Sequence, residues 1–330
     1  MKLRTRFVSD LAHLRAFVCF ASVSSINGHR QVFHSSDESG AKKRAQSWHF
    51  IHHPAAMQSA LLNRLGELLR EVAEREIAPR FQQLAPSDVV AKPSVEDPHD
   101  LVTAADRAAE AQLTLRLPEL VPGSSVVGEE AVAADPSVLD RLRGAAPVWV
   151  VDPLDGTRNF AAGHGPFGTM VVLVERGVLL ASGIYFSQGD RLFLAERGLG
   201  AYYNGERIRA RTATSGEQVL AGTVYVRYMP EELAEPLSAR AALHHQVPGV
   251  ICAAHEYTEV ALGRKDYVSY YRLLPWDHAP GALIVREAGG VARHPDGRDY
   301  EVFDTREHTL LAPDEATWQR ARAELFGVSP

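Results

Sequence analysis

One short segment constrains this chain more than any other. Residues 148–151 (Val-Trp-Val-Val) are apolar and lead directly into residues 152–157 (Asp-Pro-Leu-Asp-Gly-Thr). The apolar run predicts a buried strand, so Asp152 lies where that strand emerges. Proline fixes its own φ angle and pushes the preceding residue towards an extended conformation. Such a stiff turn can aim Asp152, Asp155 and the Leu154 carbonyl at one point, and converging oxygens form part of a site for a hard cation such as Mg2+.

The residues that follow this turn favour anion binding. Gly156 and Thr157 are predicted to enter a helical turn through residues 158–160. Backbone N–H groups at the start of a helix bind phosphate readily. One motif can therefore place metal ligands and a phosphate cradle side by side.

One known class of phosphatase carries a motif similar to residues 152–157 and has to be distinguished from this chain. Haloacid dehalogenase-type enzymes use Asp-x-Asp-Gly-Thr, in which the first aspartate is a nucleophile. In this chain position 153 is proline, and the two acids are three residues apart instead of two. A covalent phospho-aspartate intermediate is therefore not expected.

Three further segments place carboxylates at the predicted ends of strands or loops. They are residues 100–106 (Asp-Leu-Val-Thr-Ala-Ala-Asp), residues 128–130 (Gly-Glu-Glu) and residues 276–277 (Trp-Asp). Each also has a purely structural explanation: Asp100, Thr103 or Asp277 could cap a helix, and the two glutamates could be solvated loop charges.

The pattern along the chain predicts an α/β (α+β) fold. Residues 57–81 have helical periodicity, residues 84–100 form a polar loop, and residues 168–208 contain four strand-like segments. Helices are predicted over residues 230–243, 257–263, 278–290 and the last part of the chain. Because strands and helices are partly segregated, layered sheets with helices between or outside them are expected.

Composition adds limits to this interpretation. The chain has 330 residues and a formal net charge of -6, which gives no general affinity for nucleic acid or anionic membranes. Its two cysteines, Cys19 and Cys252, provide no disulfide framework and fit a cytoplasmic location. No apolar run approaches the roughly 20 residues that span a bilayer. Residues 1–56 differ from the rest, with eight Lys and Arg against three Asp and Glu.

We interpret residues 1–56 as a disordered or mispredicted extension, with Met57 as a plausible true start. The alternative is a signal peptide, in which residues 1–6 (Met-Lys-Leu-Arg-Thr-Arg) precede an apolar segment. That apolar segment is short and closely follows His13 and Arg15, which disfavours a signal peptide. A targeting arm is a third interpretation of the same residues.

Taken together, the four acidic motifs resemble those of the inositol monophosphatase family of Mg2+-dependent phosphatases. Residues 149–160 follow the signature W-x-x-D-P-x-D-G-T-x-N-F, and residues 276–290 follow W-D-x-A-x-G…E-A-G-G. Residues 100–106 and 128–130 match the other two motifs in the same order. The resemblance covers residues 57–330 and implies a layered αβαβα sandwich, usually a homodimer. Its metal- and phosphate-binding half would be residues 57–210, and residues 211–330 would form the C-terminal half.

The resemblance also implies metal ligands. Glu129, Asp152 and the Leu154 carbonyl would hold a first Mg2+, and Asp152, Asp155 and Asp277 a second. A third, more weakly bound Mg2+ would share Glu129.

Other roles follow from the same resemblance. Glu129 and the pair Thr157 and Asp106 would orient the attacking water, and the N–H groups of Gly156 and Thr157 would bind phosphate oxygens. Two cations about 3.5–4 Å apart neutralise a phosphate ester and lower the pKa of a bound water, so attack in line needs no covalent intermediate.

Substrate choice is less constrained. Relatives that act on inositol phosphates have a glutamate seven residues before the last metal-binding aspartate, where this chain has Tyr270. The change weakens the case for myo-inositol 1-phosphate. Arg272 could bind a second anionic group or be a solvated surface arginine. His255 could contact substrate or have a half-buried structural role, and His164 and His278 are equally ambiguous.

Several functions remain open at this stage. The favoured one is hydrolysis of a small, inositol phosphate-like phosphorylated metabolite. Histidinol phosphatases, 3′-phosphoadenosine 5′-phosphate phosphatases and fructose bisphosphatases share the same fold. An alternative of another class is a regulatory protein that associates with the transcription machinery. A basic surface patch would favour the regulatory role, and an acidic cleft with a closed pocket would favour the enzyme.

Overall fold

The computed structural model describes residues 58–92, 97, 100–211 and 218–328. The extension predicted over residues 1–56, and Met57, lie outside them. The helices are α1 (Ala60–Val72), α2 (Ala104–Leu120), α3 (Glu129–Ala134), α4 (Thr157–Ala161), α5 (Glu231–Ala241), α6 (Ala253–Ala261), α7 (Pro275–Glu287) and α8 (Glu315–Phe326). The strands are β1 (Val89–Ala91), β2 (Leu101–Thr103), β3 (Ser125–Gly128), β4 (Val148–Asp155), β5 (Gly168–Glu175), β6 (Val178–Phe186), β7 (Arg191–Glu196), β8 (Gly200–Tyr203), β9 (Glu206–Ile208), β10 (Ala221–Val224), β11 (His245–Gln246), β12 (Tyr267–Arg272), β13 (Val291–Arg293) and β14 (Arg306–Ala312).

Two larger sheets organise the described residues. The first has seven strands in the order β3-β4-β5-β6-β7-β8-β9, antiparallel except for the pair β3–β4. The second has five strands in the order β11-β10-β12-β14-β13 and is of mixed direction. Strands β1 and β2 form a separate hairpin-like pair. The first sheet ends at Ile208 and the second begins at Ala221, on either side of residue 210, where the sequence predicts the two halves to meet.

The helices pack in layers around these sheets. α1 and α2 cover one face of the seven-stranded sheet, and α7 packs on its other face. α6 joins α7 to the five-stranded sheet, whose far side carries α5 and α8. The order of layers is therefore αβαβα, which confirms the predicted sandwich.

α1 shows how the sequence produces one of these layers. Ser59 caps the helix by accepting a hydrogen bond from Leu62 N at 3.1 Å, which satisfies one of the free N–H groups of the first turn. Leu65, Leu69 and Val72 recur at helical spacing and are at most 1% exposed. Burial of this apolar face holds α1 against the sheet.

Two sequence predictions of local structure were wrong. Residues 200–208 form two antiparallel strands rather than one, because Asn204 (φ 47°) and Gly205 (φ 85°) adopt the left-handed backbone of a tight hairpin turn. The polar stretch predicted as loop contains β1, in which Val89 pairs with Thr103 of β2. Local composition did not reveal this pairing because it depends on the partner strand.

Within the described ranges, no helix is both long and apolar enough to cross a membrane.

Candidate active site

The end of β4 forms the floor of the site. Asp152 is 2% exposed, and its Oδ1 accepts a hydrogen bond from Leu154 N at 2.9 Å. Pairing with β5 becomes irregular between Asp152 and Asp155, so the strand bends where its acidic residues emerge. Gly156 then adopts φ +83°, and a Cβ there would lie 2.8 Å from the Pro166 carbonyl oxygen. The turn into α4 therefore requires glycine.

Asp155 faces the start of α6. Its Oδ2 accepts hydrogen bonds from Ala254 N at 2.7 Å and from the Cys252 thiol at 2.9 Å. Burial raises the pKa of Asp155 to about 6, although these hydrogen bonds oppose the rise.

A third carboxylate, Glu129, follows the strand beside β4. β3 runs parallel to β4, so Glu129 at the start of α3 lies near the end of β4. Glu110 of α2 fixes this start by accepting hydrogen bonds from the N–H groups of Glu130 and Ala131 at 2.8 Å. A Cβ at position 128 would lie 2.3 Å from Glu110 Cδ, so a larger residue there would displace the carboxylate that caps α3.

Lys92, just after β1, reaches into the same group of acids. Its Nζ lies 2.5 Å from Glu129 Oε1 and 2.6 Å from Glu130 Oε1. Burial opposes the charge of Lys92, but the two glutamates outweigh it and raise its pKa. Burial and the charge of Glu129 raise the pKa of Glu130 to about 8. An ammonium group thus neutralises part of the negative charge of the site.

Asp277 arrives from the C-terminal half, in the first turn of α7. Burial raises its pKa, and the charges of Glu129 and Asp155 add to the rise. The pKa of Asp152 is raised by burial and by the charges of the same two residues and of Asp277. The four carboxylates come from three separate segments and line the same cavity.

One cavity of about 370 Å³ collects these groups. Its lining includes nearly all of the site residues that the sequence predicts: Glu129, Asp152, Leu154, Asp155, Gly156, Thr157, Arg272 and Asp277. Asp106 lies behind the lining, where its Oδ1 accepts a hydrogen bond from the Thr157 hydroxyl at 2.9 Å. Burial raises the pKa of Asp106 to about 6, against hydrogen bonds from Thr103.

The three histidines whose roles the sequence left open differ in their position relative to the cavity. His278 lines the cavity, where its Nε2 lies 2.9 Å from the Arg272 carbonyl oxygen, and burial lowers its pKa to about 3. His164 is exposed. His255 is half-buried on α6 and is not among the residues that line the cavity.

The donor set suits a hard divalent cation, since it consists of carboxylates and one carbonyl oxygen. The carboxylates repel one another, and a cation between them would relieve that repulsion. In the described part of the chain, however, no three His, Cys, Asp or Glu side chains already have a geometry that could hold a metal ion. Lys92 forms an ion pair with Glu129, and Cys252 and Ala254 donate hydrogen bonds to Asp155. Metal binding therefore requires these side chains to exchange partners.

Three stacked tyrosines lie beside the cavity, and two of them, Tyr225 and Tyr270, line it. The Tyr270 ring lies 4.8 Å from that of Tyr225 and 5.9 Å from that of Tyr257, with planes within 8° of parallel. Tyr270 is 8% exposed, and its buried hydroxyl has no hydrogen-bond partner among the residues that the structure describes. Sequence reasoning identified Tyr270 but missed Tyr225, which no motif marks.

Comparison with known proteins agrees with this geometry. Residues 55–327 match the model of the inositol monophosphatase family. The chain belongs to that family.

Similar members of the inositol monophosphatase family carry different names. The fructose-1,6-bisphosphatase/inositol-1-monophosphatase of Thermotoga maritima is 30% identical over 204 residues, covering 62% of this chain and 75% of that protein. A Pseudomonas aeruginosa protein named Nus factor SuhB is 33% identical over 216 residues, covering 64% and 78%. The crystal structure of extragenic suppressor protein SuhB from Bartonella henselae superposes with a TM-score of 0.67 at 26% identity, covering 81% of this chain and 98% of that one.

Proposed function

We propose that this protein is a Mg2+-dependent phosphomonoesterase for a small phosphorylated metabolite. The observation that carries the proposal is the cavity in which Glu129, Asp152, Asp155 and Asp277 meet the Gly156–Thr157 turn. Buried carboxylates beside backbone N–H groups suit a reaction that needs both a cation and a bound phosphate. Membership of the inositol monophosphatase family supports the same chemistry.

The residues have distinct roles in this reaction. Glu129, Asp152, Asp155, Asp277 and the Leu154 carbonyl would hold Mg2+, two or three ions in all. When bound, Mg2+ neutralises the phosphate ester and lowers the pKa of water. No residue forms a covalent bond to phosphorus.

The remaining steps belong to Thr157 and its neighbours. The N–H groups of Gly156 and Thr157 bind phosphate oxygens and orient phosphorus for in-line attack. The Thr157 hydroxyl lies 2.9 Å from Asp106 Oδ1 and 2.8 Å from the Leu154 carbonyl oxygen. A hydroxyl has one proton, so when it donates to Asp106 its oxygen can accept a hydrogen bond from the attacking water. As the proton of that water passes to Thr157 Oγ1, the hydroxyl proton passes to the Asp106 carboxylate.

Tyr270 argues against a simple polyol as the preferred substrate. It replaces a carboxylate that would accept hydrogen bonds from sugar hydroxyls. The stacked rings of Tyr225 and Tyr270 offer an aromatic surface instead. Inositol phosphates, histidinol phosphate and 3′-phosphoadenosine 5′-phosphate therefore all belong in the test.

The test is phosphate release with and without Mg2+ by the protein starting at Met57. The panel holds inositol 1-phosphate, histidinol phosphate, 3′-phosphoadenosine 5′-phosphate and fructose 1,6-bisphosphate. Release that depends on Mg2+ and is lost in Asp152→Asn supports the proposal. Equal release by wild type and Asp152→Asn contradicts it.

A regulatory role is a second candidate because a similar protein of Pseudomonas aeruginosa is named a Nus factor. The acidic lining of the cavity favours the enzyme. The regulatory role predicts that RNA polymerase binds wild type and Asp152→Asn equally well, whereas phosphate release distinguishes the two. We also propose that the protein is cytoplasmic and that it forms a homodimer. Analytical ultracentrifugation of the purified protein would test the homodimer.

A further inference from the structure

Four arginines from distant parts of the chain gather beside the catalytic cavity. Arg158 follows the Gly156–Thr157 turn, Arg227 follows β10, Arg272 ends β12 and Arg306 begins β14. No motif of the sequence connects them. The structure brings them together around one side chain, Tyr228.

Asp97 and Tyr228 link three of these positive charges. Asp97 is 5% exposed and accepts hydrogen bonds from Arg158 Nη2 at 2.5 Å, from Arg227 Nη2 at 2.7 Å and from the Tyr228 hydroxyl at 2.6 Å. The Arg272 guanidinium carbon lies 3.8 Å from the Tyr228 ring centroid, and that of Arg227 lies 5.4 Å from it. Two guanidinium groups therefore contact one aromatic ring, an arrangement in which cation–π attraction is favourable.

Arg306 adds a further guanidinium group beside Arg272. The two residues are directly opposite each other in the antiparallel pair β12–β14. Residues paired in this way have side chains on the same face of the sheet, with Cβ atoms about 4.5–5.5 Å apart, so one anion can contact both.

The position of this arginine group connects it to the catalytic centre. Arg158, Arg227 and Arg272 line the catalytic cavity. Arg227 and Arg306 line a neighbouring cavity of about 410 Å³, and Tyr228 belongs to both. A ligand that reaches Thr157 with one phosphate can therefore extend towards Arg227, Arg272 and Arg306.

We propose that Arg227, Arg272 and Arg306 form a subsite for a second phosphate group of the substrate. The guanidinium fork matches phosphate oxygens and forms paired hydrogen bonds to them, which a lysine would not. The substrate class is then a bisphosphorylated metabolite rather than a monophosphate. This inference rests on the proposed phosphatase function.

The experiment compares bisphosphates with monophosphates that lack only the second group. Fructose 1,6-bisphosphate is paired with fructose 1-phosphate, and 3′-phosphoadenosine 5′-phosphate with adenosine 3′-monophosphate. The two pairs distinguish a sugar from a nucleoside source of the same chemistry. The test variant is Arg272→Met/Arg306→Met, and Arg272→Lys/Arg306→Lys is the conservative rescue. The control is Arg75→Met, since Arg75 is an exposed residue just after α1 that pairs with Glu71.

In wild type, kcat/KM for at least one bisphosphate exceeds that of its partner by about tenfold or more, on the scale of one or two charged hydrogen bonds. Arg272→Met/Arg306→Met brings this ratio close to one, mainly through KM, and the lysine variant restores part of it. Arg75→Met leaves the ratio unchanged. A wild-type ratio near one, or equal losses for both members of each pair, overturns the subsite while leaving the phosphatase intact.

Calorimetry keeps the two proposals separable. If no compound releases phosphate with Mg2+, the proposed function fails, and binding of the bisphosphates to wild type in EDTA decides the subsite. Binding that weakens about tenfold in Arg272→Met/Arg306→Met supports it. Absence of binding, or equal binding by both proteins, overturns it.

Discussion

The Thr157 hydroxyl lies 2.9 Å from Asp106 Oδ1 and so connects the first turn of α4 to the first turn of α2. Asp106 also accepts hydrogen bonds from the N–H and hydroxyl of Thr103, which caps α2. One carboxylate thus serves in the cap of α2 and as partner of the hydroxyl that we propose takes part in catalysis. Its orientation is fixed by the fold before any substrate arrives.

Thr157→Val is expected to lower kcat by about a hundredfold, because valine has the shape of threonine but cannot relay a proton to Asp106. Thr157→Ser keeps the hydroxyl and should retain most activity. Steady-state kinetics on the preferred substrate measures both. Equal kcat values for the valine and serine variants would show that the hydroxyl has no role.

Asp152→Asn should abolish turnover while preserving the apo fold. Asp152 is buried among like charges, so its neutralisation removes repulsion, and Asn Oδ1 still accepts from Leu154 N. The melting temperature in EDTA is therefore expected to equal or exceed that of wild type. Asp140→Asn, an exposed aspartate, is the control for both readouts. A marked drop in apo stability would contradict this view of the site.

Mg2+ should stabilise the wild-type protein and not Asp152→Asn. A ligand at about 100 times its dissociation constant adds about 2.7 kcal/mol to the free energy of unfolding. For a domain of this size that raises the melting temperature by about 5–10 °C. Differential scanning fluorimetry with a Mg2+ titration and an EDTA blank measures the shift. Identical shifts in both proteins would place the ion elsewhere.

The stacked pair Tyr225 and Tyr270 offers a matched test of buried hydroxyls. The Tyr225 hydroxyl donates to Glu256 Oε1 at 2.8 Å, and Glu256 is fully buried. Tyr225→Phe should therefore lower the free energy of unfolding by about 1–3 kcal/mol, whereas Tyr270→Phe removes a group without a partner and should be neutral or stabilising. Urea denaturation measures both, and equal losses would contradict the assigned hydrogen bonding.

The buried ion pair between Lys265 and Glu256, which also accepts a hydrogen bond from Tyr225, should be important for stability. Lys265 and Glu256 are 5% and 0% exposed, and the Lys265 ammonium contacts the Glu256 carboxylate. Lys265→Met leaves a buried carboxylate without its cation, so a loss of about 3–5 kcal/mol is expected. Arg264→Met removes a largely exposed arginine paired with Glu259 and should cost less than about 1 kcal/mol. Chemical denaturation of both variants tests the difference.

The sequence predicted those parts of the fold whose signals are local. The periodicity of α1, the apolar run of β4 and the glycines after α7 identify elements from neighbouring residues alone. The four acidic motifs likewise identified the residues that line the cavity, because each motif lies at the end of an element.

The parts that could not be predicted depend on packing between distant segments. β1 forms only because β2 provides a partner, and α6 begins at Ala253, before the helix that periodicity predicted from residue 257. The arginines around Tyr228 come from four separate segments, and Lys92 reaches Glu129 across 37 positions. Such meetings are set by the whole topology, which a single sequence does not reveal.

The αβαβα layering places the acidic residues on opposite sides of a boundary between a sheet and a helix layer. Asp152 and Asp155 belong to β4 of the first sheet, whereas Asp277 belongs to α7, the helix packed on that sheet. A small slide of one layer over the other would separate the carboxylates long before either hydrophobic core opened. Catalytic competence is therefore a more fragile property than foldedness, and it should disappear at denaturant concentrations at which each sheet is still intact.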